Sequence, residues 1–156
     1  MTTAAFAPAE LLTNRAAVLL HGGSEADRRH FADGAAQARE LSLQDASDPA
    51  ALPAATAAAT AVVYVADVTR LPPDAQRELA RVLHQQEERP KLLLGLPRSV
   101  DGALAQGALR DDLWFALRRA VVDAGSSEAK DAVRRLAAKA PRGTGTSPTR
   151  RGARAQ

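Results

Sequence analysis

The chain has 156 residues and no cysteine, so its length suits one domain with a hydrophobic core, and its composition excludes a disulfide framework or a thiolate site. Hydrophobic residues make up 46% of the chain and aromatic residues only 3%, so we expect a core of alanine, leucine and valine. The net charge is +3, but residues 141–156 hold four of the 21 basic residues and none of the 18 acidic ones, which leaves the rest nearly neutral. This distribution argues against a nucleic-acid-binding face on the folded part.

The N-terminal residues 1–9 are mostly small and include a proline, and we predict a poorly ordered arm there. They lack the basic start and the long apolar run of a signal peptide. No stretch of the chain approaches the roughly 18 consecutive apolar residues that a membrane-spanning helix needs. We therefore expect a cytoplasmic protein that has no membrane partner.

The first predicted unit is a strand, a glycine turn and a helix. Residues 16–20 are apolar and predict a strand, His21–Ser24 contains two glycines, and the pattern that follows predicts a helix from Glu25 to about Arg39. This order of elements is the context that a phosphate-binding loop requires. A second strand is predicted at residues 40–44, where leucine alternates with polar residues, and a short helix at Pro49.

The most informative segment runs from residue 62 to residue 83. Val62–Val65 is a short apolar run that predicts a strand buried on both faces, and Asp67 follows at its carboxyl end, where open α/β sheets place their ligands. Pro73 lies in the first turn of the next predicted helix. The apolar residues of that helix recur at helical spacing; they are Ala75, Leu79, Val82 and Leu83.

Two further strands are predicted at Lys91–Leu96 and at residues 119–122, followed by a helix over residues 126–140 that Ser126 and Ser127 can cap. The predicted fold is therefore a three-layer αβα domain over residues 10–125 with a mostly parallel, five-stranded sheet. Residues 141–156 are predicted to be a disordered basic tail.

Two segments carry a resemblance to a known family. The run LPPDAQRELARVLHQ, which begins at Leu71, resembles the segment after the Walker B strand of AAA+ ATPases of the σ54-activator family. Residues 91–94 and the later run GALRDDLWFAL resemble that family's fourth strand and its arginine-finger segment. The resemblance extends over residues 16–122 and implies a P-loop NTPase fold without the helical lid domain.

The resemblance also implies that the phosphate-binding loop has changed. Gly22 matches the family's first glycine, but Glu25 and Asp27 occupy later glycine positions, Arg28 replaces the lysine, and no serine or threonine follows it. Two carboxylates at those positions would repel a triphosphate, so we interpret the loop as structural. The alternative is an anion site built from Ser24, Arg28 and Arg29.

The other nucleotide-handling positions of the family differ as well. Ala66 and Asp67 stand where an active member has adjacent Asp and Glu, and we expect Asp67 to cap a turn. Pro97 stands at the polar sensor position and offers neither a side-chain donor nor an N–H. The interval from Arg28 to Ala66 is 38 positions and contains no GAFTGA loop, the element with which the family contacts the σ54 factor.

Arg110 matches the first arginine-finger position, and the second is Ala116. Without a triphosphate, Arg110 is expected to pair with Asp111 or Asp112, or to face a partner. Trp114 and Phe115 follow, and we expect at least one of them to pack in the core. Because arginine and tryptophan dominate protein–protein hot spots, Arg110 and Trp114 are the candidate partner-binding residues.

We predict no catalytic residue, no cofactor and no metal site, since the three histidines lack metal-ligand spacing. The expected function is that of a pseudo-ATPase regulatory protein that binds and inhibits a protein partner. Short chains of this kind are similar to a cytosolic myxobacterial inhibitor of a subtilisin-like protease, which makes such a protease the candidate partner. The alternatives are weak nucleotide binding through Arg28 and Asp67, or a nucleic-acid-associated transcription regulator that acts through residues 141–156. The oligomeric state stays open.

Overall fold

A computed structural model of the chain describes residues 7–57, 60–84 and 89–139, so the predicted basic tail lies outside the described residues. The sheet has five strands, which are β1 Val18–His21, β2 Leu43–Asp45, β3 Val62–Val65, β4 Lys91–Leu96 and β5 Val121–Asp123. Their order across the sheet is β2-β3-β4-β1-β5, and every neighbouring pair is parallel. The predicted fold class, a three-layer αβα domain with a mostly parallel five-stranded sheet, is confirmed, and the observed sheet is parallel throughout.

Within the described ranges, seven helices flank this sheet, namely α1 Pro8–Thr13, α2 Glu25–Ala38, α3 Leu52–Ala57, α4 Pro73–Leu83, α5 Val100–Ala105, α6 Asp111–Leu117 and α7 Ser127–Lys139. Short 3₁₀ turns occupy Pro49–Ala51 and Val68–Arg70. Successive residues of each central strand pack on opposite faces of the sheet, as the pleat requires. One face is covered by α1, α2 and α7, and the other by α3, α4, α5 and α6.

The two central predicted strands, β3 and β4, have the predicted bounds. The predicted β2 began at residue 40, but Glu40 has a left-handed backbone (φ 57°) and the amide of Leu41 donates to the carbonyl of Ala36. Residues 40 and 41 therefore form the turn that follows α2, and the strand begins only at Leu43. At the N-terminus, α1 begins at Pro8, inside the segment predicted as an arm; residues 1–6 lie outside the described residues.

Lys91 links α1 to the amino-terminal edge of the sheet by hydrogen bonds. It is the first residue of β4 and only 3% exposed. Its Nζ donates to the carbonyl oxygens of Leu11 and Ala16, at 2.6 and 2.7 Å. Burial, together with the nearby charges of Arg39 and Arg89, lowers the pKa of Lys91 to about 7.

Both arginines also hold the chain that leaves α1. Arg39 Nη2 donates to the carbonyl of Asn14 at 2.7 Å, and Arg89 Nη1 donates to the carbonyl of Arg15 at 3.1 Å. The amino-terminal edge of the sheet is thus a cluster of cations fixed by backbone oxygens. In the described part of the chain, no helix has the length and apolar character needed to cross a bilayer.

Candidate functional site

The candidate site lies at the carboxyl edge of the sheet, where β1 and β4 lead into loops on either side of a small opening. The opening has a volume of about 230 Å³. It is lined by His21, Gly22, Gly23, Arg28, Pro97, Arg98 and Ser99. This lining contains no carboxylate, so its described side chains can attract an anion but offer no acidic metal ligand.

The loop after β1 is packed tightly against the loop after β5. Gly22 and Gly23 both have left-handed backbones, with φ of 71° and 63°. A Cβ atom on Gly22 would lie 2.1 Å from Asp123 Oδ1, and one on Gly23 would lie 2.9 Å from the backbone of Gly125. Only glycine fits at these two positions, so the glycines that sequence reasoning assigned to a phosphate-binding loop also have a packing role.

The loop uses its own backbone amides to begin α2. Ser24 is the N-cap residue: its amide donates to Asp27 Oδ2 at 3.0 Å, and its Oγ accepts from the amide of Asp27 at 3.1 Å. The bond from the Ser24 amide, with Lys130 nearby, lowers the pKa of Asp27. The backbone amides of Ser24 and Asp27 therefore both donate to side-chain oxygens within the loop.

The carboxylates of this loop do not face the opening, which corrects the predicted reason for excluding a triphosphate. Asp27 lies 3.8 Å from Lys130 of α7, and Glu25 accepts a hydrogen bond from the hydroxyl of Tyr64 at 3.2 Å. Burial raises the pKa of Tyr64, and the neighbouring Glu25 raises it further. Direct repulsion at the opening is therefore weaker than the sequence predicted, and the polar groups of the loop are bonded to one another within the protein.

Arg28 is held inside the loop that it follows. Its side chain is 6% exposed, and Nη1 donates to the carbonyls of Gly22 and Gly23 at 3.0 and 3.1 Å. Its Nε is buried and has no hydrogen-bond partner among the described residues. A P-loop cradles phosphates with backbone N–H groups, whereas here the loop turns two carbonyls toward a guanidinium.

The alternative anion site of Ser24, Arg28 and Arg29 is not assembled. Ser24 is the N-cap of α2, and Arg29 pairs with Asp45 at 3.0 Å while its guanidinium lies 5.5 Å from the centroid of the Tyr64 ring. Arg28 instead shares the opening with Arg98, a residue that the sequence did not single out.

Asp67 caps the turn after β3, as predicted. Its Oδ1 accepts from the amide of Thr69 at 3.0 Å and from the Thr69 hydroxyl at 2.6 Å. The neighbouring Ala66 amide donates to Ser47 Oγ at 2.9 Å. Within the described ranges, no group of three or more histidine, aspartate and glutamate residues converges on a point where a metal could bind.

The predicted partner-binding residues lie around α6, on the other helical layer. Arg110 precedes α6 and makes two hydrogen bonds of 3.0 Å to the carboxylate of Asp112, one of its two predicted acidic partners. This contact raises the pKa of Arg110 and lowers that of Asp112. Trp114 is half-buried against the core, whereas Phe115 is 64% exposed. The two predicted residues are thus neighbours, but the outward-facing aromatic is Phe115.

Gln76 positions this segment and was missed from the sequence. It is 2% exposed, and its Nε2 donates to the carbonyl of Ala108 at 2.9 Å and to that of Leu71 at 3.2 Å. Its Oε1 accepts from the amide of Arg110 at 2.9 Å. The sequence feature that could have identified Gln76 was its location three residues before Leu79, which puts a polar residue on the apolar face of α4.

No family model and no curated protein matches this sequence. Among solved structures, NtrX from Brucella abortus in complex with ADP matches 75% of this chain with a TM-score of 0.60 at 15% identity. The P-loop NTPase domain of a σ54 transport activator from E. coli matches 74% of this chain and 89% of its own length, with a TM-score of 0.55 at 20% identity. This chain has the fold of a σ54-activator P-loop NTPase domain.

The likeness to σ54-activator NTPase domains is one of fold. This chain covers 33% of the NtrX chain in complex with ADP and 35% of the one in complex with ATP, so it corresponds to about a third of that protein. The structural similarity, at 15% and 20% sequence identity, agrees with the resemblance to the σ54-activator family that the sequence predicted.

Proposed function

We propose that this chain is a pseudo-ATPase, a non-catalytic regulatory protein that uses a σ54-activator-like fold to bind and inhibit another protein. The observation that carries the proposal is the internal bonding of the loop after β1. Its Arg28 guanidinium is anchored to two loop carbonyls, and the Ser24 amide is bonded to Asp27. Both groups would have to leave these partners before the loop could hold a phosphate chain.

The surrounding residues support the same reading. Phosphoryl transfer on this fold needs a lysine on the phosphates, a hydroxyl and a carboxylate for magnesium, and a group that positions the attacking water. In this chain Arg29 follows Arg28, and Ala66 and Asp67 follow β3. Asp67 Oδ1 accepts hydrogen bonds from both the amide and the hydroxyl of Thr69. The residues described at these positions therefore support the proposal that the chain does not hydrolyse ATP.

The proposed partner is a subtilisin-like protease held inactive in the cytosol, in line with the resemblance to the myxobacterial inhibitor of the protease PopC. The partner surface is placed at Arg110 and Trp114, because arginine and tryptophan are the residues that most often dominate binding energies. Gln76 supports this assignment, since its bond to the Arg110 amide fixes where α6 begins.

Two other functions stay open as alternatives. NtrX has been crystallised with ADP and with ATP, and the opening beside Arg28 and Arg98 would suit weak binding of a nucleotide phosphate. A nucleic-acid-associated transcription regulator would instead act through residues 141–156, with binding that weakens steeply as salt increases.

The proposal is tested by adding increasing amounts of this chain to a purified subtilisin-like protease from the cells that produce the chain, and measuring the protease activity. We expect the wild-type chain to abolish protease activity at saturation, and Arg110→Ala to weaken inhibition by about tenfold or more, as hot-spot residues do. Arg77→Ala is the matched control, because Arg77 also pairs with an exposed aspartate, Asp74, near the start of a helix. Unchanged protease activity, or equal inhibition by Arg110→Ala and wild type, would contradict the assigned surface.

A further inference from the structure

The outer face of α6 carries an unusual exposed aromatic side chain. Phe115 is 64% exposed, and the only other exposed large hydrophobic side chain in the described residues is Leu41, at 40%. The Arg118 guanidinium lies 4.4 Å from the centroid of the Phe115 ring. An exposed phenylalanine under an arginine is a pair of residue types typical of the centre of a protein interface.

Opposite charges flank Phe115 along the same helical face. Asp111 lies four residues before it and Arg118 three residues after it, so all three side chains project from one side of α6. Asp111 and Arg118 are both exposed, and neither forms an ion pair with another described residue. The adjacent Asp112 differs, because its carboxylate is already bonded to Arg110.

This arrangement is complementary to itself under a two-fold rotation. Arg118 lies seven positions after Asp111, which is about 10 Å along a helix, and Phe115 lies near the midpoint. When two such helices meet in antiparallel orientation, the acidic end of each faces the basic end of the other, and the two phenylalanines meet at the axis. An interface of this type uses the same patch on both subunits.

We propose that two copies of this chain associate through the outer face of α6, with Phe115 at the two-fold axis and Asp111 of each copy paired with Arg118 of the other. A partner carrying charge of a single sign would be repelled at one end of this face, whereas a second copy satisfies both ends. The contact is small, so the dimer belongs to the weak and reversible class of interfaces. This inference goes beyond the proposed function, because it needs no other protein.

Sedimentation equilibrium of the 156-residue chain tests this dimer. The wild-type chain is expected to show a concentration-dependent equilibrium between monomer and dimer. Phe115→Ser, Asp111→Arg and Arg118→Asp are each expected to weaken the dimer by about tenfold or more. Because all three positions are exposed, circular dichroism is expected to show an unchanged fold.

The decisive variant is the double charge exchange Asp111→Arg with Arg118→Asp, which restores opposite charges across the axis and is expected to recover the affinity of the wild type to within about threefold. The control is the same exchange at Asp131 and Arg134 of α7, an exposed pair away from α6, which is expected to leave the dimer unchanged. A monomer at all concentrations, a dimer insensitive to Phe115→Ser, or a double exchange no better than its single variants would overturn the inference. Inhibition of a protease is a separate measurement, so either proposal can fail alone.

Discussion

The free energy of unfolding is expected to rise as the pH increases from about 7 towards 10, with a contribution of about 1.4 kcal/mol per pH unit from Lys91. In the folded chain the pKa of Lys91 is lowered to about 7 from its ordinary value of 10.5, first by burial and then by Arg39 and Arg89. Between these two values the unfolded chain binds the proton and the folded chain does not. Raising the pH therefore removes a proton that only the unfolded state holds, which favours folding.

Below pH 7 Lys91 is protonated in both states, so its contribution there does not change with pH. Urea unfolding at several pH values between 6 and 10 measures how steeply the free energy of unfolding rises with pH. Lys91→Met is expected to remove the slope assigned to Lys91, whereas Lys130→Met, which changes an exposed lysine beside Asp27, is expected to keep it. Identical slopes for the wild type and Lys91→Met would show that Lys91 keeps an ordinary pKa.

Gly95→Ala is expected to destabilise the fold by about 2–4 kcal/mol, because the added methyl group meets backbone that cannot move aside. A Cβ atom at residue 95 would lie 2.3 Å from the carbonyl oxygen of Ala66 and 3.1 Å from that of Val65. These atoms belong to the end of β3, the strand that pairs with β4. The substitution would force β3 away from β4, which is one of the two strands that lead into the candidate site.

Gly107→Ala is the matched control for Gly95→Ala. Gly107 has a left-handed backbone with φ of 72°, but nothing lies within 4 Å of the position that a Cβ would occupy. Gly107→Ala is therefore expected to lower the free energy of unfolding by about 1–2 kcal/mol, because only the left-handed backbone disfavours the alanine. Chemical denaturation of both variants separates the two effects, and a smaller loss for Gly95→Ala than for Gly107→Ala would contradict the steric account.

The parts of the fold that the sequence predicted best are those with a strong local pattern. The bounds of β3 and β4 follow from continuous apolar runs, which only strands buried on both faces need. Ser126 was predicted as a helix cap, and its Oγ accepts from the amide of Ala129 at 3.1 Å. Such elements are determined by neighbouring residues, so a single sequence suffices to place them.

The features that the sequence did not predict depend on contacts between distant residues. A lysine at the start of a strand is ordinarily solvated, whereas Lys91 is buried and bonded to the carbonyl of Leu11 in α1, 80 residues earlier. Helix α6 is short, and the sequence could not decide which of Trp114 and Phe115 would turn inward. The direction of Arg28 likewise depends on how the preceding glycine loop folds, which sequence spacing does not specify.

The proposed pseudo-ATPase recognises a protein and does not use a nucleotide. Isothermal titration calorimetry of the chain with ATP and magnesium tests it most directly, with thermal unfolding in the same mixtures as a second readout. We predict no saturable heat and no change in the unfolding temperature. Saturable binding that is lost in Arg28→Ala, with stabilisation of about 2.7 kcal/mol at one hundred times the dissociation constant, would contradict the claim.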